Sequence, residues 1–212
     1  MTTVGKVVLF LALAIGMVLS PVGAKADEVT VAGTAVGQFN NGSPTIGSLS
    51  YSGSTFNTTT VGGFSALGGN ASPGSNFNNL GSFSLGSSPA SYANDTFTLV
   101  VTFSAPVVIA GTNQATNTAN LIGGVQSNGN GGVFIDFQSN NQPITFSFAN
   151  DLAQGQFTFA VNNVSVNSGL VNSLSGNITG AAQSPVPEPA SLLLLGSGLA
   201  GIGTALRKRV KL

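Results

Sequence analysis

Thr96-Phe97-Thr98-Leu99-Val100-Val101-Thr102-Phe103 is the stretch on which the fold turns. Phe97, Leu99, Val101 and Phe103 occupy every second position, and the residues between them are mostly Thr. A side-chain period of two belongs to an extended strand with one face toward a core and the other toward solvent. β-Branched and aromatic residues suit such a pleated, half-buried surface.

The alternation recurs at Val133, Ile135 and Phe137, at Ile144, Phe146 and Phe148, and at Phe157, Phe159 and Val161. At Asn162-Asn163 the phase shifts before Val164 and Val166 resume it, which predicts a bulge. Weaker strands are expected over 29–36, 47–53, 81–85, 107–110 and 170–178. Turn-rich stretches such as FNNGSPT, GGNASPGSN, QSNGNGG and QSNNQP separate the runs. Many short strands, each with one apolar face, predict an all-β passenger domain built as an antiparallel β-sandwich. Phe97, Leu99, Val101, Phe103, Ile135, Phe146, Phe148, Phe157 and Phe159 are its expected core. No long-period repeat is visible, which leaves a β-solenoid as the second architecture.

Charge sets limits on function. Of the 212 residues only 6% are charged, and Cys, His and Trp are absent. The bases are Lys6, Lys25, Arg207, Lys208, Arg209 and Lys211, so no Lys or Arg lies between 25 and 207. That interval holds Asp27, Glu28, Asp95, Asp136, Asp151 and Glu188 and is acidic. A base-free domain cannot neutralise phosphates, so no nucleic-acid partner is expected. Without Cys there is no disulfide framework, and a hydrophobic core must hold the fold.

The same shortage limits chemistry. Without His, Cys or an available Lys there is no general base or activated nucleophile of the usual kinds. Asp95 follows Asn94 in a turn where an Asx hydrogen bond is the ordinary role, and Asp151 follows Asn150 in a similar one. Asp136 sits inside the strand 133–137, on the solvent face with Phe134. A two-carboxylate glycosidase built from Asp136 and Asp151 is the remaining enzymatic arrangement, since strand partners can be distant in sequence. Calcium would need several Asp, Asn and carbonyl oxygens, and no D-x-D-x-D-G loop is present. The expected domain has no catalytic residue, no metal and no cofactor. Sugar recognition normally pairs stacked aromatics with amides, and Tyr51 and Tyr92 are the only tyrosines.

The ends carry addresses. Lys6 precedes an apolar core from Val7 to Leu19, Pro21 stops it, and Ala24 and Ala26 form an A-x-A cleavage site before Asp27. The apolar run is shorter than the roughly 20 residues of a spanning helix. Residues 1–26 therefore read as a removable signal-peptide helix rather than a permanent anchor, with cleavage after Ala24 as a lesser alternative. At the other end, Pro187-Glu188-Pro189 is followed by an apolar helix over 192–206 and a basic tail over 207–212. Arg207, Lys208, Arg209 and Lys211 would stay in the cytoplasm as a stop, which places everything before Leu192 outside the inner membrane. Pro187 and Pro189 favour an extended, unpaired segment of the kind a protease groove accepts.

These three features in this order resemble the PEP-CTERM sorting signal of Gram-negative bacteria, over the last 28 residues or so. The resemblance implies handling by an exosortase, a membrane-embedded cysteine transpeptidase, near the Pro-Glu-Pro motif. It divides the chain into signal peptide 1–26, passenger 27–184 and sorting signal 185–212. The passenger is similar to the small β-sandwiches that commonly precede this signal.

The expectation is an exported, non-enzymatic protein of the cell surface or extracellular matrix. It crosses the inner membrane through the Sec translocon and pauses as a single-pass membrane intermediate before processing. The alternative is a secreted carbohydrate-binding module with exopolysaccharide as its partner.

Overall fold

The computed structural model describes residues 28–68, 78–107, 111–139, 143–149, 153–185 and Gly196. The signal segment with Ala24 and Ala26, Asp27, Asp151, the Pro187-Glu188-Pro189 motif and the basic tail lie outside the described residues. So does the apolar run 192–206 apart from Gly196.

From 28 to 185 the described residues form antiparallel strands joined by turns, with no helix. In chain order these are β1 (Thr30–Phe39), β2 (Thr45–Ile46), β3 (Leu49–Ser52), β4 (Ser54–Thr59), β5 (Ser65–Leu67), β6 (Ser82–Leu85), β7 (Ala90–Ser91) and β8 (Thr96–Ala105). They continue as β9 (Gln114–Val125), β10 (Gly131–Asp136), β11 (Ile144–Ala149), β12 (Ala153–Val161), β13 (Val164–Asn167), β14 (Val171–Ser173) and β15 (Gly176–Pro185). The largest sheet has seven strands in the order β13-β10-β9-β8-β1-β4, with β7 pairing β9. Two four-stranded sheets run β11-β12-β15-β5 and β14-β6-β3-β2.

β8 ties the three sheets together, and its alternation explains how. Phe97, Leu99, Val101 and Phe103 all point inward and are buried. The Phe103 ring lies 4.8 Å from Phe146, 5.1 Å from Phe157 and 5.4 Å from Phe159, all in the sheet of β11 and β12. Near the other end of the strand, the Phe97 ring lies 4.8 Å from both Tyr51 and Phe83, on β3 and β6. Tilted and edge-on contacts of this kind add about 0.5–1.5 kcal/mol each beyond simple burial. Every residue expected in the core is buried.

The longest strand is one the alternation of large residues does not mark. β9 spans 12 residues, and its inward face is Ala115, Asn117, Ala119 and Leu121. Ala115, Asn117 and Ala119 stand opposite Val101, Leu99 and Phe97 of β8. Small residues here make room for the large ones across the ladder, so the period is present but written in Ala and Asn. The weaker expectation over 107–110 fails at Val107, which lies outside any strand and is 69% exposed. Residues 108–110 are outside the described set.

The phase shift at Asn162-Asn163 is a crossing between sheets and not the expected bulge. β12 belongs to the sheet of β11 and β15, whereas β13 pairs β10 in the seven-stranded sheet. Side-chain amides replace ladder bonds at the crossing. Asn163 Oδ1 accepts from Phe137 N at 2.7 Å and Gln138 N at 3.0 Å. Asn162 N donates to Ser175 O, and its Nδ2 donates to Ser175 Oγ, both at 3.0 Å. Ser175 is itself a crossing point between β14 and β15, so the expected single strand over 170–178 is two strands in different sheets.

Candidate functional site

Among the described residues the charged side chains are Glu28, Asp95 and Asp136, with no Lys, Arg or His. No group of three or more His, Cys, Asp or Glu that could hold a metal occurs among them.

Asp136 ends β10, beside the exposed Phe134, and works as a turn cap. Its Oδ1 accepts from Gln138 N at 3.1 Å and Ser139 N at 3.3 Å, and Ser139 Oγ donates to Oδ2. The Ser139 hydroxyl, followed by the backbone N–H groups and Asn163, holds the carboxyl below the usual carboxylate range. A general acid needs the opposite shift. Asp95 sits in the expected turn, where its N–H donates to Tyr92 O at 3.1 Å and Asn94 takes a left-handed φ of 74°. Its carboxylate reaches across to the β1–β2 connection and accepts from Asn40 Nδ2 at 3.0 Å. Register places both acids at one end of the seven-stranded sheet, since Asn120 pairs with Thr96 on one side and Asp136 on the other. Both carboxylates fasten loops.

Tyr51 and Tyr92 offer no sugar-stacking surface, because both are core residues. Tyr51 Oη donates to Leu80 O, and burial pushes its phenol above the ordinary tyrosine range. Tyr92 Oη accepts from Ser48 N at 3.1 Å. A hollow at the β8–β9 connection is lined by Phe103, Val107, Thr112, Asn113 and Gln114, with no titratable group. The outward face of the large sheet carries Thr34, Thr98, Thr102, Thr116 and Thr118, interrupted by the apolar pairs Val36–Val100 and Ile122–Phe134.

The remaining feature is the end of the last described strand. β15 runs through the interior of its sheet between β12 and β5, and its last pair is Ala153 with Pro185. Proline has no N–H to donate to a ladder. Pro187-Glu188-Pro189 begins two residues later.

Residues 185–209 match the family described as the PEP-CTERM protein-sorting motif. The chain therefore carries, directly behind an all-β domain, the C-terminal signal of a protein destined for export. The signal is of the PEP-CTERM type, which marks an exosortase substrate and implies a membrane-held intermediate. No curated protein and no solved structure matches the chain. No helix among the described residues is long and apolar enough to cross a membrane.

Proposed function

We propose that this is a non-catalytic, structural protein of the cell surface or extracellular matrix, delivered by its sorting tail. The observation that carries the reading is the sorting motif at 185–209 beginning at the residue where β15 ends. The signal peptide 1–26 takes the chain into the Sec translocon and is cut after Ala26. The passenger 27–184 folds outside as a β-sandwich, with the seven-stranded sheet against the two smaller ones. A short C-terminal helix over 192–206 holds the intermediate while Arg207, Lys208, Arg209 and Lys211 anchor it inside.

Reach makes the arrangement tight. From Pro185 to Leu192 is seven peptide steps, at most about 25 Å even when fully extended. A folded passenger is thus held near the outer face of the membrane, with the Pro-Glu-Pro segment between the two. Supporting a non-catalytic role, Asp136 caps a turn, Asp95 ties one loop to another, and no base lies among the described residues around them. A carbohydrate-binding alternative would have to stack sugars on the exposed Phe64 and Phe134, since both tyrosines are buried.

The test is processing in a host that makes an exosortase. Changing Arg207, Lys208, Arg209 and Lys211 together to Ala should let the tail slip outward and abolish cleavage while export continues. Changing Glu188 to Ala should slow cleavage. Unaltered processing in both variants would refute the sorting role assigned to these residues.

A further inference from the structure

A sheet edge exposes N–H and C=O groups that can template another strand, and proteins blunt such edges with short strands, charge, proline or covering groups. The three sheets end at β13 and β4, β11 and β5, and β14 and β2. Strands β2, β5 and β14 are two or three residues long. Along β4, Asn57 N donates to Asn78 Oδ1 at 2.9 Å, and Thr58 Oγ1 lies 2.7 Å from Ser65 Oγ on β5. Along β13, Ser165 O accepts from Asn172 Nδ2.

β11 differs from all of these. Its six residues, Ile-Thr-Phe-Ser-Phe-Ala, contain no charge and no proline, and among the described residues only β12 pairs with it. No lysine or arginine exists between residues 25 and 207 to guard it.

We propose that β11 pairs antiparallel with β11 of a second copy of this chain, about a twofold axis through Ser147. The edge is complementary to itself in one register above the others. Phe146 and Phe148 face the core, while Thr145 and Ser147 face solvent. A strand must keep its faces across a pair, so the axis falls on a residue and not between two. Through Ser147, Phe146 meets the partner's Phe148 and Phe148 meets the partner's Phe146. Thr145 meets the partner's Ala149, and the serines meet at the axis. Through Phe146, the strand would gain one aromatic pair in place of two. Cross-strand aromatic pairs are the stronger unit. The two sheets of β11 then become one continuous sheet of eight strands. With β11 the one long edge left uncovered among the described residues, the contact is isologous and closes at two, giving a dimer and no filament.

The chain has no cysteine, so single thiols report the register. Full-length Ser147→Cys, Thr145→Cys and Thr98→Cys chains are expressed in a bacterial host and oxidised in intact cells with copper phenanthroline. Ser147→Cys should convert most of the chain to a disulfide-linked dimer. Thr145→Cys should give at least tenfold less, because its α-carbons sit about 14 Å apart across the axis at ~3.4 Å per residue. Thr98→Cys, in the middle of the large sheet, should do likewise. Absence of the Ser147→Cys dimer, or equal cross-linking at Thr145→Cys or Thr98→Cys, overturns the proposal. Ser147→Lys sets two like charges at the axis. The mass of the detergent-extracted full chain, by light scattering, should then fall from two chains to one, and an unchanged mass also overturns the proposal.

Discussion

Phe103 shows how much one side chain decides here. Its ring touches Phe56, Phe146, Phe157 and Phe159, which come from three different strands and two sheets. Phe103→Ala should cost about 3–5 kcal/mol through lost transfer energy and the cavity left behind, read from denaturant unfolding. Asn117 points the other way. It is buried on β9 opposite Leu99, and its Nδ2 has no hydrogen-bond partner among the described residues. A buried donor left unmet costs about 1–3 kcal/mol, so the near-isosteric Asn117→Leu should raise the melting temperature. Tyr51 gives the fold an alkaline limit. Its folded pKa is raised by burial, so the neutral phenol is favoured in the fold. That stabilisation is complete below the ordinary tyrosine value near 10 and is lost as pH rises past it. Unfolding followed between about pH 9 and 12 should therefore show a fall in stability that Tyr51→Phe removes. An identical pH profile in the variant would show that Tyr51 is not its source.

At the level of elements, the strands with large alternating residues were legible and those without them were not. β8 and the β11–β12 pair announce themselves through Phe, Leu and Val at every second position. β9 hides because its partners supply the bulk and it supplies the space. Gly123 shows the same economy. It adopts a φ of 110° and a Cβ there would collide with Gly132 O on β10, so the strand carries glycine where alternation would place a side chain. Sheet membership was the harder property. Asn162-Asn163 reads as a slip within one strand because sequence records phase but not which neighbour a strand chooses. What marks the crossing is a pair of amides able to replace ladder bonds. Asn163→Ala should test this, since it removes the side-chain acceptor of both Phe137 N and Gln138 N. A loss of about 1–3 kcal/mol is expected, with the secondary structure unchanged by circular dichroism. The turn role of Asp136 was legible only as a solvent-facing strand residue. Its use as a cap depends on Ser139 folding back, which spacing alone does not state.

For the whole molecule, the division of labour follows the charge. A passenger without bases and with few acids is built around a single apolar core, and the recognisable information lies at the ends. That separation is why the sorting role was legible from the last residues while the surface of the domain named no ligand. The carboxylates of Asp95 and Asp136 serve the passenger's own loops, and its sheet delivers Pro185 to the start of the sorting motif. The central claim is that this tail is a temporary hold, cut once the domain is outside. The helix proposed over 192–206 would cover roughly 22 Å at 1.5 Å per residue against a hydrocarbon core of about 30 Å, which would suit a brief stop better than a lasting anchor. Intact-mass spectrometry of the protein recovered from the cell surface or medium decides it. The account predicts a mature chain that ends at or near Pro187-Glu188-Pro189 and lacks everything from Leu192 onward. A mature chain still carrying Leu212 would contradict it and make the tail a permanent anchor.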